Sequence, residues 1–393
     1  MRLHAAQFNA RHAGGILNCA PEFAPYPLVP APAYSRWMVS GVAVLVLMSG
    51  VSALLRSFIE PHLAVAGVAC ACLAWLLALL LRVLYFRFDR HNAQSYCEAA
   101  EQVRQAWWMH HRQNAALVES VLLSAACTAP EHGQLLFSSD HQPPELQKTL
   151  EGRTIHVGQV FGSDVAERER NLAMLLALKW HRQRAEPLAV QPLRCYWQGS
   201  LAAWQAFAEK MALCSPQLQL PEQPEPWKGI SSLYSVIDQL QGAPTTARIL
   251  CAGCQSTPVR HESRLPAGEA AVLWLFGPEG GVRFARGEWF SAATEHLPAV
   301  AKQALQQSEL SAPAQTCVSF SQPNVPDLPA IGWNTGQYVQ DANFGALESL
   351  QAMVVQTLAA WYAEQHRKPC AWLTNDPHHT LALGIVKPDD STN

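Results

Sequence analysis

Two features of the chain predict an α/β domain with an internal duplication, carried behind a pair of membrane helices. A helix–strand–loop–strand unit occurs twice, and two uncharged apolar runs stand near the amino terminus. The composition agrees: 393 residues, 49% hydrophobic and only 15% charged, suit a large core plus membrane-embedded segments. A net charge of −3 with no basic, aromatic-interleaved patch argues against nucleic acid as a partner. Eleven cysteines without paired spacing point to reduced thiols in a cytosol rather than a disulfide framework.

Residues 1–36 include PYPLVPAPAY, whose prolines fix φ and remove donors, so a tail without regular helix is expected. Trp37–Leu55 carries no charge, and a second uncharged run, Leu63–Leu81, comes soon after it. At 1.5 Å per residue each matches about 30 Å of hydrocarbon, which places two transmembrane helices within 37–82. A buried hairpin in a soluble core is the competing reading; Trp37, Arg82, Tyr85 and Arg87 at the flanks favour the membrane. A cleavable signal peptide is disfavoured because the first run starts too far in. Arg2, Arg11 and Arg36 precede the first run and Arg82, Arg87 and Arg90 lie beyond the second, whereas the connection has only Arg56, offset by Glu60. The positive-inside rule then puts both termini and the main domain in the cytoplasm, at a bacterial inner membrane.

Residues 91–145 read as a linker. Asn92–Ala125 is expected to be one long amphipathic helix, with Trp107 and Trp108 either a partner contact or packed on the main domain. His110 and His111 are adjacent, point to different sides of a helix, and make a poor metal pair. Pro130 to Pro144 reads as loop, HVGQVF and LRCYW as strands, and ERERNLAMLLALKWHRQR as a helix with a basic end suited to its dipole. Pro216 to Pro226 is a proline-rich connector.

The repeated unit comes next. In GISSLYSVIDQLQG, Leu233, Val236, Ile237 and Leu240 form one helical stripe, closed by Gly242 and Pro244. ARILCA and AVLWLF are too short for helices and suit strands buried on both faces. In the second copy Phe344, Leu347, Leu350, Val354 and Leu358 mark a helix, and CAWLT and TLALGIV are strands split by the turn-forming Asn375-Asp376-Pro377. A further helix precedes each unit, LAAWQAFAEKMAL in one and LPAVAKQALQQSEL in the other. The halves are expected to run 150–277 and 281–390, and their central helices to pack with Ser232 and Gly345 near the middle.

This order, a small-residue elbow, helix, strand, GEAA-strand, then a second half with a GAL-helix and two strands, resembles the thiolase-like fold of ketoacyl synthases over 150–390. The resemblance implies a pseudo-duplicated layered domain. It also implies a nucleophilic cysteine at the start of the first-half helix and two histidines in the second half. Here Gly229 or Ile230 stands at the elbow, with no cysteine between Cys214 and Cys251. The segments matching the histidines, VSFSQPNV and YVQDANFGAL, contain none, and none occurs between His296 and His366. A thiolate and its bases are what that chemistry requires, so the fold is expected without the reaction.

Other candidates are weaker. Cys251-Ala-Gly-Cys254 is a CxxC without a second pair, and even with His261 it leaves a zinc site incomplete. It reads as a strand end with two buried thiols. Gly277-Pro-Glu-Gly-Gly281 lacks the lysine and subsequent helix of a phosphate loop and reads as the turn between the halves. Asp376, His378 and His379 read as an exposed turn, and Asp238 and Glu348 as helix carboxylates without a partner. No metal and no cofactor is expected.

The anchor plus this domain also resembles a bacterial family that includes type VI secretion lipase accessory proteins. That resemblance implies a non-catalytic adaptor that binds a lipase effector and hands it to a spike protein. The alternatives are an acyl-thioester-using transferase or condensing enzyme with relocated catalytic residues, and a purely structural membrane-complex subunit.

Overall fold

A computed structural model of the chain describes residues 20–55, 60–128, 130–138, 140–149, 152–184, 191–260, 263–321, 327–376 and 378–389. It divides into two compact units, Ala20–Trp107 and the residues from Trp108 on.

In the first unit α1 covers Tyr34–Leu54 and α2 covers Pro61–His111, continuing past the unit's end. Their apolar windows have mean hydropathy 2.0 and 2.5, and none of either is buried inside the protein. Both are long and apolar enough to cross a bilayer. Trp75 lies across Gly41, where a Cβ would stand 2.7 Å from its ring, and donates from Nε1 to Ser40 Oγ at 3.2 Å. The proline-rich 20–33 forms no helix, as its composition predicts, and lies along α2. Arg2 and Arg11 fall outside the described residues, as does Arg56.

The second unit opens with a correction. Residues 92–125 are not one helix: α2 ends at His111, and β1, Asn114–Ser124, is a buried strand. No glycine or proline marks the break. The Ala- and Leu-rich run that suits a helix is equally suited to a strand covered on both faces. Within the expected loop lies a short helix, α3, Pro130–Leu135. Strands β2, Gln147–Thr149, and β3, Gly152–Ile155, replace the strand expected over 156–161. There the backbone N–H of Val157 is taken instead by the buried Glu269 carboxylate, 2.8 Å away. Helix α4, Val165–Gln183, is capped by Asp164, whose side chain accepts from the Glu167 N–H. Then come β4 (Arg194–Gln198), α5 (Leu201–Cys214), β5 (Glu225–Pro226), α6 (Ile230–Leu240), β6 (Ile249–Ser256) and β7 (Ala267–Gly277).

The second half repeats the plan: β8 (Val282–Ala285), β9 (Glu288–Phe290), α7 (Leu297–Gln307), β10 (Thr316–Ser319), α8 (Asp327–Ala330), β11 (Tyr338–Val339), α9 (Asp341–Phe344), α10 (Gln351–His366), β12 (Cys370–Thr374) and β13 (Leu381–Lys387). Helix α10 starts later than its apolar spacing predicts. Gly345 turns the chain at φ 68°, and Ala346 bridges to Ala267, so 345–350 cannot be helical.

Strand order shows the duplication. From the outer edge inward the first half runs β5-β4-β6-β7-β1 and the second β11-β10-β12-β13-β8. Numbered within each half with β2, β3 and β9, which lie off this order, left out, both read third, second, fourth, fifth, first. In both, the fifth strand is antiparallel to its neighbours and the outer strands are parallel. The halves join where β1 pairs antiparallel with β8. The turn Gly277–Gly281 joins β7 to β8, as expected.

Alternation along the strands sorts the core into layers. On β7, Ala270, Val272, Trp274 and Phe276 join a cluster with α6 and α10, while Ala271, Leu273 and Leu275 face α4 and α5. On β13, Ala382 and Val386 share the central cluster and Leu381, Leu383 and Ile385 face α7. Helices α6 and α10 thus lie between two sheet halves. This is why α10 is apolar all round and why these strands read as continuous apolar runs. Leu233 and Leu350 are both fully buried there. Replacing either with alanine is expected to cost roughly 2–5 kcal/mol in chemical denaturation, against under about 0.5 for a surface site. Ser232, next to Leu233 in the chain, is buried as well. Gly345 differs from expectation: it meets the β7 backbone rather than a helix, its absent Cβ falling 2.6 Å from Pro266 O.

Candidate functional site

The site of interest is the amino-terminal end of α6. Gly229 caps the helix at φ 59° and ψ −132°, a conformation that strains any residue with a side chain. Ser232 and Leu233 donate backbone N–H groups to its carbonyl at 3.1 and 3.2 Å, and Lys228 N–H donates to Ser232 Oγ at 2.8 Å. Ile230, the first helical residue, is buried. Gly229 and Ile230 thus form a sharp turn at the start of α6, with no side chain on the first and a buried apolar one on the second.

A cleft of about 440 Å³ opens over this turn, with Lys228, Gly229, Ile230, Ala352, Asp376 and His378 among its walls. The connection after β12 brings Asp376 here, far from Gly229 in sequence. A Cβ on Gly229 would stand 3.2 Å from Asp376 Oδ2. Asp376 Oδ1 accepts from the backbone N–H groups of His378 and His379 at 2.9 and 3.0 Å, and lies 2.8 Å from His379 Nδ1. The His379 ring stacks on Trp289 at 5.2 Å. Asp376 is thus half-buried and organised, where an exposed turn was expected. Asn-Asp-Pro is a turn signal, and nothing local shows what the turn faces.

The segments that the resemblance pairs with the histidines hold a polar network among their described residues. Asp341 accepts from Ser321 N and Oγ at 2.6 and 2.7 Å. Buried Asn343 donates to Gln340 Oε1 at 2.9 Å and accepts from His141 Nε2 at 2.7 Å. His141 comes from the loop before β2 and was not singled out in the sequence; no local motif marks it. Part of this region, 322–326, lies outside the described residues.

Cys251 and Cys254 occupy opposite faces of β6. The first packs in the central cluster and the second against α4 and α5, so they share neither a disulfide nor a metal. His261 lies outside the described residues. Burial raises both thiols well above the ordinary value and pushes Cys195, Cys127 and Cys317 up to about 12. A protonated, buried thiol is inert as a nucleophile. Asp238 and Glu348 have partners after all: Asp238 pairs with the buried Arg286 and Glu348 with Arg260. Arg286 also donates to His110 O at 2.9 Å and to Gln113 Oε1 at 2.7 Å, closing the carboxyl-terminal end of α2. Trp107 and Trp108 are half-buried, and the Arg112 guanidinium lies 5.3 Å from the Trp108 ring. Among the described residues no group of three histidine, cysteine or acidic side chains is placed to hold a metal.

No protein-family model matches the sequence, and no curated protein matches it. Solved structures do. The ishigamide ketosynthase/chain length factor aligns at TM-score 0.51 and 14% identity, covering 70% of this chain and 99% of its own. The acyltransferase ChlB3 aligns at 0.44 and 13%, covering 70% and 98%. PksG, an HMG-CoA synthase from Bacillus subtilis, aligns at 0.41 and 9%, covering 71% and 80%. The first of these, with the doubled third–second–fourth–fifth–first strand order, shows that the chain has a thiolase-like fold.

Proposed function

We propose that this chain is a membrane-anchored binding protein that uses a thiolase-like domain as a scaffold and performs no covalent catalysis. The observation that carries this reading is Gly229: the helix-capping turn that could present a nucleophile has no side chain. Cys251 and Cys254, buried and protonated, offer no substitute. Asp376 adds a second obstacle, since its carboxylate beside Gly229 would disfavour a thiolate there. An Asp–His pair without a nucleophile or an organised acceptor supports recognition better than acyl transfer.

This reading has testable outcomes. Replacing Cys195, Cys214, Cys251 and Cys254 together with alanine is expected to leave biological function intact in a protein whose folding is verified. Purified protein should turn over no acyl thioester. Turnover abolished by one cysteine substitution, or by His379→Ala, would replace this reading with that of an enzyme with relocated groups.

Helices α1 and α2 supply the anchor in this reading, with the domain on the cytoplasmic face of a bacterial inner membrane. Single cysteines introduced at Ser35 and Ser391 in a cysteine-free background should resist an impermeant thiol reagent in intact spheroplasts, while one at Ser57 should react. Labelling at Ser391 without lysis contradicts the assignment. The partner we propose is a lipase effector of a type VI secretion system, delivered to its spike protein. The support is the similarity in arrangement to that accessory family. Co-purification of the lipase with wild-type protein, retained when the hairpin up to Arg90 is removed, is the expected result.

A further inference from the structure

The apolar run of α2 ends at Leu81, and the same continuous helix then carries Arg82, Tyr85, Phe86, Arg87, Phe88, Asp89 and Arg90. At 1.5 Å per residue, Arg87 and Arg90 stand roughly 7 and 12 Å beyond Arg82. Headgroup layers add about 5–7 Å to each side of the hydrocarbon, and an arginine stem reaches back toward the bilayer by snorkelling. Tyr85 and Phe88 are 58% and 65% exposed, as an interfacial aromatic belt requires.

The one acidic side chain between Arg82 and Cys97 is Asp89, and it is removed from this surface. Asp89 is 9% exposed and is covered by the proline-rich strap 20–33. It accepts from Val29 N–H at 2.8 Å and from Tyr26 Oη at 3.4 Å. The strap is fixed on both sides of it: Arg82 Nη2 donates to Pro30 O at 2.9 Å, and Tyr96 Oη donates to Ala24 O at 3.0 Å. Tyr26 and Tyr96 also pack ring to ring, 5.7 Å apart. By helical geometry Arg90 and Arg87 lie roughly 100° and 160° around α2 from Asp89. Both are exposed. The strap therefore covers the carboxylate and leaves the guanidinium groups facing outward. With Asp89 covered, the exposed face of α2 between Arg82 and Cys97 presents no acidic side chain of its own, while the strap carries one exposed acid, Glu22.

We propose that Arg87 and Arg90, at the mouth of the second apolar helix, form a binding surface for anionic phospholipid headgroups. The proposal rests on the membrane reading of α1 and α2. Phosphate oxygens accept from guanidinium donors in paired geometry, and the position of the two arginines matches the phosphate layer of the leaflet into which α2 would emerge.

The test uses full-length protein in a mild detergent, mixed with equal amounts of phosphatidylglycerol and phosphatidylcholine of the same chains and weighed by native mass spectrometry. Wild type is expected to retain phosphatidylglycerol preferentially, by about fivefold for each arginine engaged. The double variant Arg87→Gln/Arg90→Gln should lower that ratio by roughly tenfold or more, while Arg170→Gln on α4 should leave it unchanged. Equal retention of the two lipids by wild type, or an unchanged ratio in the double variant, overturns the proposal. Displacement of phosphatidylglycerol by polyglutamate at equal charge also overturns it, assigning the surface to an acidic protein segment. Release of the chain from membranes by alkaline carbonate would separately defeat the membrane reading on which the proposal stands.

Discussion

Replacing Gly268 with alanine is expected to destabilise the domain by about 3 kcal/mol or more. The cause is a contact between backbones, not between side chains. A Cβ on Gly268 would stand 2.1 Å from Phe344 O and 2.9 Å from Ala346 O. Rotamer changes cannot relieve such a clash, because both oxygens belong to the turn that enters α10. That turn is itself tied to β7: Gly268 N–H donates to Ala346 O at 3.2 Å and Ala346 N–H donates to Pro266 O at 2.8 Å. Gly345 faces it at φ 68°, with Gly268 Cα 3.1 Å from its absent Cβ. Besides the β1–β8 pairing, the second half thus meets the first through the close approach of two glycines. Urea denaturation monitored by tryptophan fluorescence measures the loss, and Gly158→Ala, where nothing lies within 4 Å of a new Cβ, serves as the control. Equal midpoints for the two variants would show that this seam yields without cost.

The same seam explains how much of the fold was legible in the sequence. GEAA and GAL enter only through the resemblance to a thiolase-like fold, and the reason for their glycines is a close approach that no single segment displays. Strands β6, β7, β12 and β13 were legible because burial on both faces imposes unbroken apolar runs. β1 was not, because its Ala- and Leu-rich run comes after a long helix with no glycine or proline between them, and periodicity alone cannot separate a buried strand from a helix. The start of α10 was misplaced for a related reason: Phe344, Leu347 and Leu350 are buried at helical spacing, yet 345–350 is bent onto β7.

At the site, only the resemblance to a thiolase-like fold directs attention to Gly229 and Ile230, and the sequence shows directly that neither is a cysteine. What the sequence did not show was the company Gly229 keeps. Asp376 reaches it only because β12 and β13 are paired as a hairpin whose connection comes back to the start of α6, and the His379 that Asp376 holds stacks on Trp289 of β9. The Arg286–Asp238 pair was hidden in the same way. Its cation comes from the end of β8, its anion from α6, and its remaining acceptors from the last turn of α2 and Gln113. Such side chains are assembled by topology, and a linear reading sees only isolated charges with apolar neighbours.

Glu288 gives the second large effect: Glu288→Gln should remove a pH dependence that the wild-type domain carries. Glu288 sits on β9 with 1% exposure, and burial raises its pKa to about 8 against the lowering effect of hydrogen bonds from Gln303 and Gln307. Gln303 Nε2 donates to Glu288 Oε1 at 2.9 Å, and Gln307 Nε2 donates to the same oxygen. The other carboxyl oxygen and Gln307 Oε1 are both buried without a partner. A proton on Glu288 Oε2 supplies the donor that this acid–amide pair lacks. In the unfolded chain the group ionises near a pKa of about 4.3. Between that value and about 8 the folded state keeps a proton that the unfolded state has released. The stabilisation from burying the neutral acid is therefore complete below the unfolded pKa and is lost as pH rises through the folded one. The loss is steepest inside that window, at roughly 1.4 kcal/mol per pH unit for one proton. A glutamine at 288 cannot ionise, and its amide can both donate to Gln307 Oε1 and accept from Gln307 Nε2. Urea midpoints measured from pH 5 to 9 should fall in the wild type relative to Glu288→Gln, with the two converging toward acid. Parallel curves across that range would show that Glu288 is already ionised in the folded protein.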